Sequence, residues 1–250
     1  MRIAVFFFGL VQRSLRHVIA STRENLLGPL AGLGTVEVYF HSWKTGPLDN
    51  PRAGESGMWP DPADVARFLP EACGWFDDEA EFAKLIEWAE LERVNPLRHH
   101  YHDEAAARVA LRNAVFSLFS LESVFEQFLA SSSPAVDCVV ATRADLRFLR
   151  PLVLPSQLPE RTVFIPSFHG WGGVNDRFAF GTPEAMAVYA GRRAFFDGWM
   201  LHPDHHNPEW VLMKWLQRNR IRIEPTDFMF QRVRADGAVF SLDRGMAAGP

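Results

Sequence analysis

Arg143-Ala144-Asp145 places a guanidinium and a carboxylate two positions apart, directly after the apolar run Val136 to Ala141. A carboxylate at the end of a buried strand can hold a divalent cation that bridges a diphosphate, or it can accept from a ribose hydroxyl. Arg143 can neutralise phosphate through its planar fork. The same pair would also serve as an ion pair that closes a turn. A second group, Gly9, Gln12, Arg13 and Arg16, follows the first apolar run, Ile3 to Phe8. Gly9 lets a ligand approach the backbone, and Arg13 matches a diphosphate bidentately; the plain alternative is a turn carrying solvated arginines. No Gly-x-Gly-x-x-Gly and no Walker loop occurs there, so the usual dinucleotide and P-loop readings lose support. In the third group, Gly172-Gly173-Val174-Asn175-Asp176-Arg177-Phe178, two glycines predict a mobile loop, and Asn175 and Asp176 give an acceptor-rich edge. Asp176 there is a candidate base, against the alternative of an ordinary Asn-Asp turn. The fourth is His202-Pro203-Asp204-His205-His206-Asn207-Pro208-Glu209. Its histidines and carboxylates suit a metal, but adjacent His205 and His206 match no zinc spacing, so it reads as a helix entry with exposed histidines. Glu209 falls in the first helical turn, where the dipole favours a carboxylate, and it is also a candidate catalytic carboxylate. His99-His100-Tyr101-His102 reads as surface.

These groups need elements to hold them. Ile3 to Phe8 is a continuous apolar run, as in a strand covered on both faces. Leu15, Val18, Ile19, Leu26, Leu27 and Leu30 recur at helical spacing, Gly32 and Gly34 close that helix, and Val36 to Phe40 is the next strand. The opening is therefore a βαβ unit. Ligands of open α/β sheets bind beyond the carboxyl ends of such strands, where Gly9 and Arg143 fall. Thr45 to Pro62 predicts a long exposed loop. Helices are expected over Pro62–Phe68 and Glu79–Glu92, and a long one capped by Asp103 and running to Leu129. Val136–Ala141 and Val163–Ile165 are strands. Thr182-Pro183 and Asn207-Pro208 start helices, Ile221–Ile223 and Phe228–Val233 are late strands, and the tail from Arg244 is expected to fray. With no repeat and no linker, residues 1–250 read as a single domain.

The chain carries 26 basic against 30 acidic residues, a net charge of -4, which excludes a general nucleic-acid binder. Its two cysteines, Cys73 and Cys138, make no disulfide framework and suit a reducing cytoplasm. The first apolar run is too short for a signal peptide, and no run reaches membrane-spanning length.

The pieces together resemble bacterial and viral glycosyltransferases, including those of lipopolysaccharide or capsule synthesis. The resemblance rests on the opening unit with Gly9-Leu10-Val11-Gln12-Arg13 and Val36-Glu37-Val38-Tyr39-Phe40-His41-Ser42-Trp43, and on the helix from Asn113 to Phe125. It continues in Thr142-Arg143-Ala144-Asp145-Leu146-Arg147-Phe148, Asn175-Asp176-Arg177-Phe178-Ala179-Phe180-Gly181, Pro208-Glu209-Trp210-Val211-Leu212 and Phe230-Gln231-Arg232-Val233-Arg234-Ala235-Asp236-Gly237. It implies an α/β, Rossmann-like GT-A fold, with a mostly parallel central sheet flanked by helices. Residues 1–150 would form the nucleotide-binding half and 151–250 the acceptor side. It implies a hexosyltransferase-like enzyme moving a sugar from a nucleotide-sugar donor to a glycan or lipid-linked acceptor, at the cytoplasmic face of the inner membrane, with no nucleic-acid partner and no transmembrane segment. Gly9, Gln12, Arg13, Arg143 and Asp145 would bind the donor. Gly173, Asn175 and Arg177 would lie on the acceptor side, and Asp176 and Glu209 would be the catalytic carboxylates. Such enzymes use Asp-x-Asp to hold Mn²⁺ or Mg²⁺ on the diphosphate. This chain has Arg143-Ala144-Asp145, so Asp145 is the single candidate metal ligand and arginine replaces part of the metal's charge. Two alternatives stand beside this reading: a non-catalytic sugar-nucleotide or glycan binder of the same fold, and a metal-dependent hydrolase built on His202–His206.

Overall fold

Alternation along the first apolar run decides which layer each side chain joins. In the computed structural model, which describes residues 1–50, 55–94, 97, 103–131, 135–195 and 207–246, that run is strand β1 (Arg2–Phe8). Helices α1 (Leu15–Thr22) and α2 (Gly28–Ala31) follow, then β2 (Thr35–Lys44), β3 (Leu48–Asn50), β4 (Glu55–Met58), α3 (Ala63–Phe68) and β5 (Cys73–Asp78). The middle of the chain holds α4 (Glu79–Ala83), α5 (Trp88–Val94), α6 (Glu104–Ala130), β6 (Cys138–Arg143) and β7 (Leu146–Phe148). Last come β8 (Thr162–Pro166), β9 (Phe178–Gly181), α7 (Pro183–Ala190), α8 (Pro208–Arg218), β10 (Arg222–Thr226) and β11 (Phe230–Arg232).

Seven strands form one sheet in the order β10-β8-β9-β6-β1-β2-β5. All pairings are parallel except those of β9, which runs antiparallel to β6 and β8. This is the α/β arrangement the periodicities imply. Ile3, Val5 and Phe7 face a core with α1, α2, α3, β7 and β11. Ala4, Phe6 and Phe8 face the opposite core, with α6, α7 and α8. Successive side chains of a strand point to opposite faces, so a sheet covered on both sides needs an unbroken apolar run. Burying each of these phenylalanines contributes about 1.5–3 kcal/mol.

Several boundaries differ from expectation for identifiable reasons. The helix predicted from Leu15 to Leu30 contains a π-helical turn over Arg23–Leu27, in which the Gly28 N–H donates to the Arg23 carbonyl. A Cβ at Gly28 would stand 2.8 Å from that oxygen, and Pro29 has no N–H to continue the ladder. β2 runs four residues past Phe40, to Lys44, and its extra length pairs with β5, a strand absent from the sequence reading. Gly74 permits that pairing, since a Cβ there would meet the Phe40 carbonyl at 1.9 Å. The expected 79–92 helix is two pieces, α4 and α5, and Asp78 caps the first by accepting from the Ala80 and Glu81 N–H groups. The expected loop of residues 45–62 holds the β3–β4 hairpin, with Glu55 buried. The tail is anchored at least to Met246, whose carbonyl accepts from Gln231 at 2.8 Å. Cys138 is a buried free thiol, pushed up to about 12 by burial, and Cys73 is free and exposed. Among the described residues no helix is long and apolar enough to cross a membrane.

Candidate functional site

β1 carries β2 and β5 on one side, and the chain returns to lay β6 on its other side. Connections leaving β1 and β6 therefore diverge, which opens a crevice at their carboxyl ends. The paired residues end at Phe8 opposite Arg143. Just beyond lies a small cavity of about 20 Å³, lined by Phe8, Leu10, Arg13, Arg143, Ala144 and Asp145. The loops carrying Arg13 and Asp145 thus converge on one space.

The charges around that cavity are mutually organised. Arg143 grips Asp145 with both arms, its Nε lying 2.9 Å from Oδ1 and Nη2 closing on Oδ2. Burial alone would raise the Asp145 carboxyl, but the guanidiniums of Arg143, Arg13 and Arg234 outweigh it and hold the group below the usual carboxylate range. Arg13 donates from Nε to Glu55 at 2.8 Å, and the same Glu55 oxygen accepts from the Ala235 N–H at 3.1 Å. Gly9 turns the chain out of β1 with φ +90, a conformation that suits glycine. Its N–H donates to Ser120 at 2.8 Å, and Ser120 in turn bonds the His41 backbone and imidazole. Asp77 contacts the other His41 nitrogen at 3.1 Å. Ser120 is fully buried and its oxygen takes the Gly9 N–H, so this Ser-His-Asp set braces the loop and exposes no nucleophile.

A second cluster lies beyond the amino end of β9. Arg177 is buried between two carboxylates, 3.0 Å from Asp176 and 2.7 Å from Glu209. Burial and the neighbouring Asp176 push the Glu209 carboxyl up, and Arg177 offsets them in part. For Asp176 burial acts upward too, yet Arg177, Arg192 and Arg143 together bring it down. Asn207 starts α8 by accepting from the Trp210 N–H at 2.9 Å and also donates to the Trp171 carbonyl at 2.8 Å. Loop and helix approach so closely that a Cβ at Gly173 would stand 2.1 Å from the Glu209 carbonyl. A further cavity of about 110 Å³ lies beside this loop, lined by Ile165, Ser167, Gly170, Gly173, Val174 and Ile223 among others.

Of the expected site residues, Arg13, Arg143 and Asp145 share the first cavity, while Asp176, Arg177 and Glu209 share the second cluster. Two point elsewhere. Gln12 is buried with its amide bonded to the Trp43 carbonyl and the Ser42 hydroxyl, so it ties β1's loop to β2. Asn175 is fully buried between the Phe168 carbonyl and the Arg177 N–H, so it shapes the turn. Arg16 pairs with Asp64 at 2.6 Å. His99, His100, His102 and the His202–His206 group lie outside the described residues. Glu55 carried no signal in the sequence, and Arg234 stood there only as part of the last-strand segment, an arginine immediately after a late strand.

Manganese and magnesium take most of their ligands from oxygen. Both Asp145 oxygens are engaged by Arg143, and Arg13 stands at the same cavity. Among the described residues no three His, Cys, Asp or Glu side chains are grouped to hold a metal. This donor set does not suit a divalent cation.

No protein-family model and no curated protein sequence matches the chain. Among solved structures it is similar to the apo form of the glycosyltransferase GlyE from Streptococcus pneumoniae TIGR4, with a TM-score of 0.43 and 13% identity. The match takes in 89% of this chain and 44% of that one, so the chain spans less than half the length of the protein it resembles.

Proposed function

We propose that the chain is a glycosyltransferase of GT-A type that takes a nucleotide-activated sugar and passes the sugar to a glycan or lipid-linked acceptor at the cytoplasmic membrane face. The observation that carries this reading is the cavity at the β1–β6 crevice, with Arg13 and Arg143 on its wall and Asp145 holding Arg143 in place. In such a transfer the bond from the anomeric carbon to the diphosphate breaks, the acceptor oxygen bonds that carbon, and the hydroxyl proton leaves to a base. Charge grows on the departing diphosphate, and prealigned guanidiniums are worth most at that point. The enclosed part of that space is about 20 Å³, room for about one water, so a diphosphate would lie across the open mouth of the crevice against Arg13 and Arg143. Asp176 and Glu209 are the acceptor-side carboxylates. Glu209 is the stronger base of the two, and Arg177 fixes both.

The test is incubation of the purified chain with UDP-, GDP- and CMP-sugars, reading release of the nucleotide. One donor consumed, with loss of turnover in Asp145→Ala, is expected. No donor bound or hydrolysed, with or without Mn²⁺, would end the proposal. The salt bridges of Asp176 and Glu209 to one buried Arg177 favour a second reading, a sugar-nucleotide binder without turnover, since both carboxylates are already engaged by a guanidinium. Tight binding of a nucleotide sugar that stays intact would select it.

A further inference from the structure

Arg234 lies beside the same crevice and makes no ion pair among the described residues, although Asp145 and Glu55 are near enough to attract it. Its position follows from backbone pairing. β11 pairs antiparallel with β7, Arg232 opposite Leu146, and the ladder continues with the Val233 N–H donating to the Asp145 carbonyl at 2.8 Å. The next residue, Ala235, is tied to Glu55 at 3.1 Å, and Glu55 holds Arg13. Arg234 is therefore clamped between the Asp145 loop and the Arg13–Glu55 pair. Two residues earlier, Arg232 has a bidentate partner in Asp243. Arg234 rests its guanidinium 4.3 Å from the centre of the Phe240 ring, and its buried Nε has no hydrogen-bond partner. Burial, then repulsion from Arg13, brings it down to about 10. Arg13 and Arg143 repel the Arg234 charge while Asp145 and Glu55 attract it from a distance, without a direct ion pair. A partly desolvated guanidinium with no ion pair, repelled by its neighbours, is stabilised by a bound anion.

We propose that Arg234 is the third guanidinium of an anion site, with Arg13 and Arg143, that grips a diphosphate without a divalent cation. The nucleotide-sugar reading supplies the expected ligand, while the anion site stands on Arg234's surroundings alone. Calorimetry on the full chain in EDTA, with inorganic pyrophosphate and with UDP, tests it. Both bind in EDTA, Mn²⁺ does not strengthen UDP binding, and Arg234→Gln weakens both about ten- to a hundredfold, the range for one charge-assisted hydrogen bond. Arg234→Lys recovers part of the loss. The unliganded Arg234→Gln variant unfolds at the same denaturant concentration as the parent or a higher one, because a repelled cation is gone; a merely structural arginine would lower it. Unchanged affinity in Arg234→Gln, a parallel loss of fold stability, no pyrophosphate binding by the parent, or binding that requires Mn²⁺ would each overturn the proposal. If pyrophosphate binds as described but no nucleotide sugar is consumed, the transferase reading fails and the anion site remains.

Discussion

Arg177 is the residue on which the cluster before β9 depends, because it separates two carboxylates that would otherwise face each other in the interior. Replacing one partner of a buried ion cluster with an apolar side chain costs about 3–5 kcal/mol, so Arg177→Met is expected to lose that much stability near neutral pH. The loss depends on pH with a definite sign. Arg177 pulls Glu209 down against burial and Asp176, so without it the Glu209 carboxyl rises further. A proton then binds the folded variant more readily than the unfolded chain, and stability recovers as pH falls. Urea midpoints at about pH 7 and about pH 5 check this, and an equal loss at both would refute it. In the parent chain Asp145 and Asp176 act oppositely. Their folded values are depressed, so their stabilisation is complete above the ordinary carboxylate range and is lost as pH falls below it. The charged residues were legible in the sequence because strand ends announce themselves: Arg143 and Asp145 follow a buried run directly. Gln12 and Asn175 were not, since the groups that absorb them, Ser42, Trp43 and the Phe168 carbonyl, belong to segments that only folding brings near. Glu55 was hidden for the same reason, as its partners sit at Arg13 and Ala235.

At the scale of elements, the loop before β9 and the start of α8 form one unit. Gly172 and Gly173 look alike in sequence but differ in what they meet. Gly172 has φ +86 and open space where a Cβ would stand, so Gly172→Ala should cost about 1–2 kcal/mol of backbone strain. Gly173 has the Glu209 carbonyl and the Trp210 nitrogen within 2.3 Å of a Cβ, so Gly173→Ala must push α8 away. A substantially larger loss is expected, together with displacement of Glu209 and loss of any transfer activity. Thermal denaturation of the two variants compares them directly, and equal losses would mean the loop yields without moving the helix. Asn207→Ala removes both the cap of α8 and its tie to Trp171, at about 1–2 kcal/mol. His169 and Trp171 hold φ of 53 and 45 in that same loop, a left-handed backbone that non-glycine residues adopt at a cost. Caps and long apolar runs, such as Asp103 before α6, could be read directly because both signals are local. β5 could not, because Cys73–Asp78 becomes a strand only by pairing with the far end of β2.

For the molecule as a whole, the distribution of charge matters more than its sum. The chain is net -4, yet Arg13, Arg143 and Arg234 gather about the β1–β6 crevice, close enough for Arg13 and Arg143 to repel Arg234. An anionic ligand must therefore approach an acidic surface and enter a basic site, and salt weakens the second effect at distances beyond about 8–10 Å. Binding there also reports on folding. The site draws its residues from β1, β6, the β3–β4 hairpin and the segment after β11, so it exists only when the first and last parts of the chain are assembled. A ligand that binds such a site binds the folded state and not the unfolded chain. At about one hundred times its dissociation constant it should add about 2.7 kcal/mol. For a chain of this size that corresponds to a rise of roughly 5–11 °C in the melting temperature. UDP in EDTA is expected to give this shift, and raising the salt concentration should shrink it as affinity falls. Uridine, which has no phosphate, should give little shift at the same concentration. If uridine stabilised the chain as well as UDP does, recognition would lie in the nucleoside, and the guanidinium cluster would have no part in holding the donor.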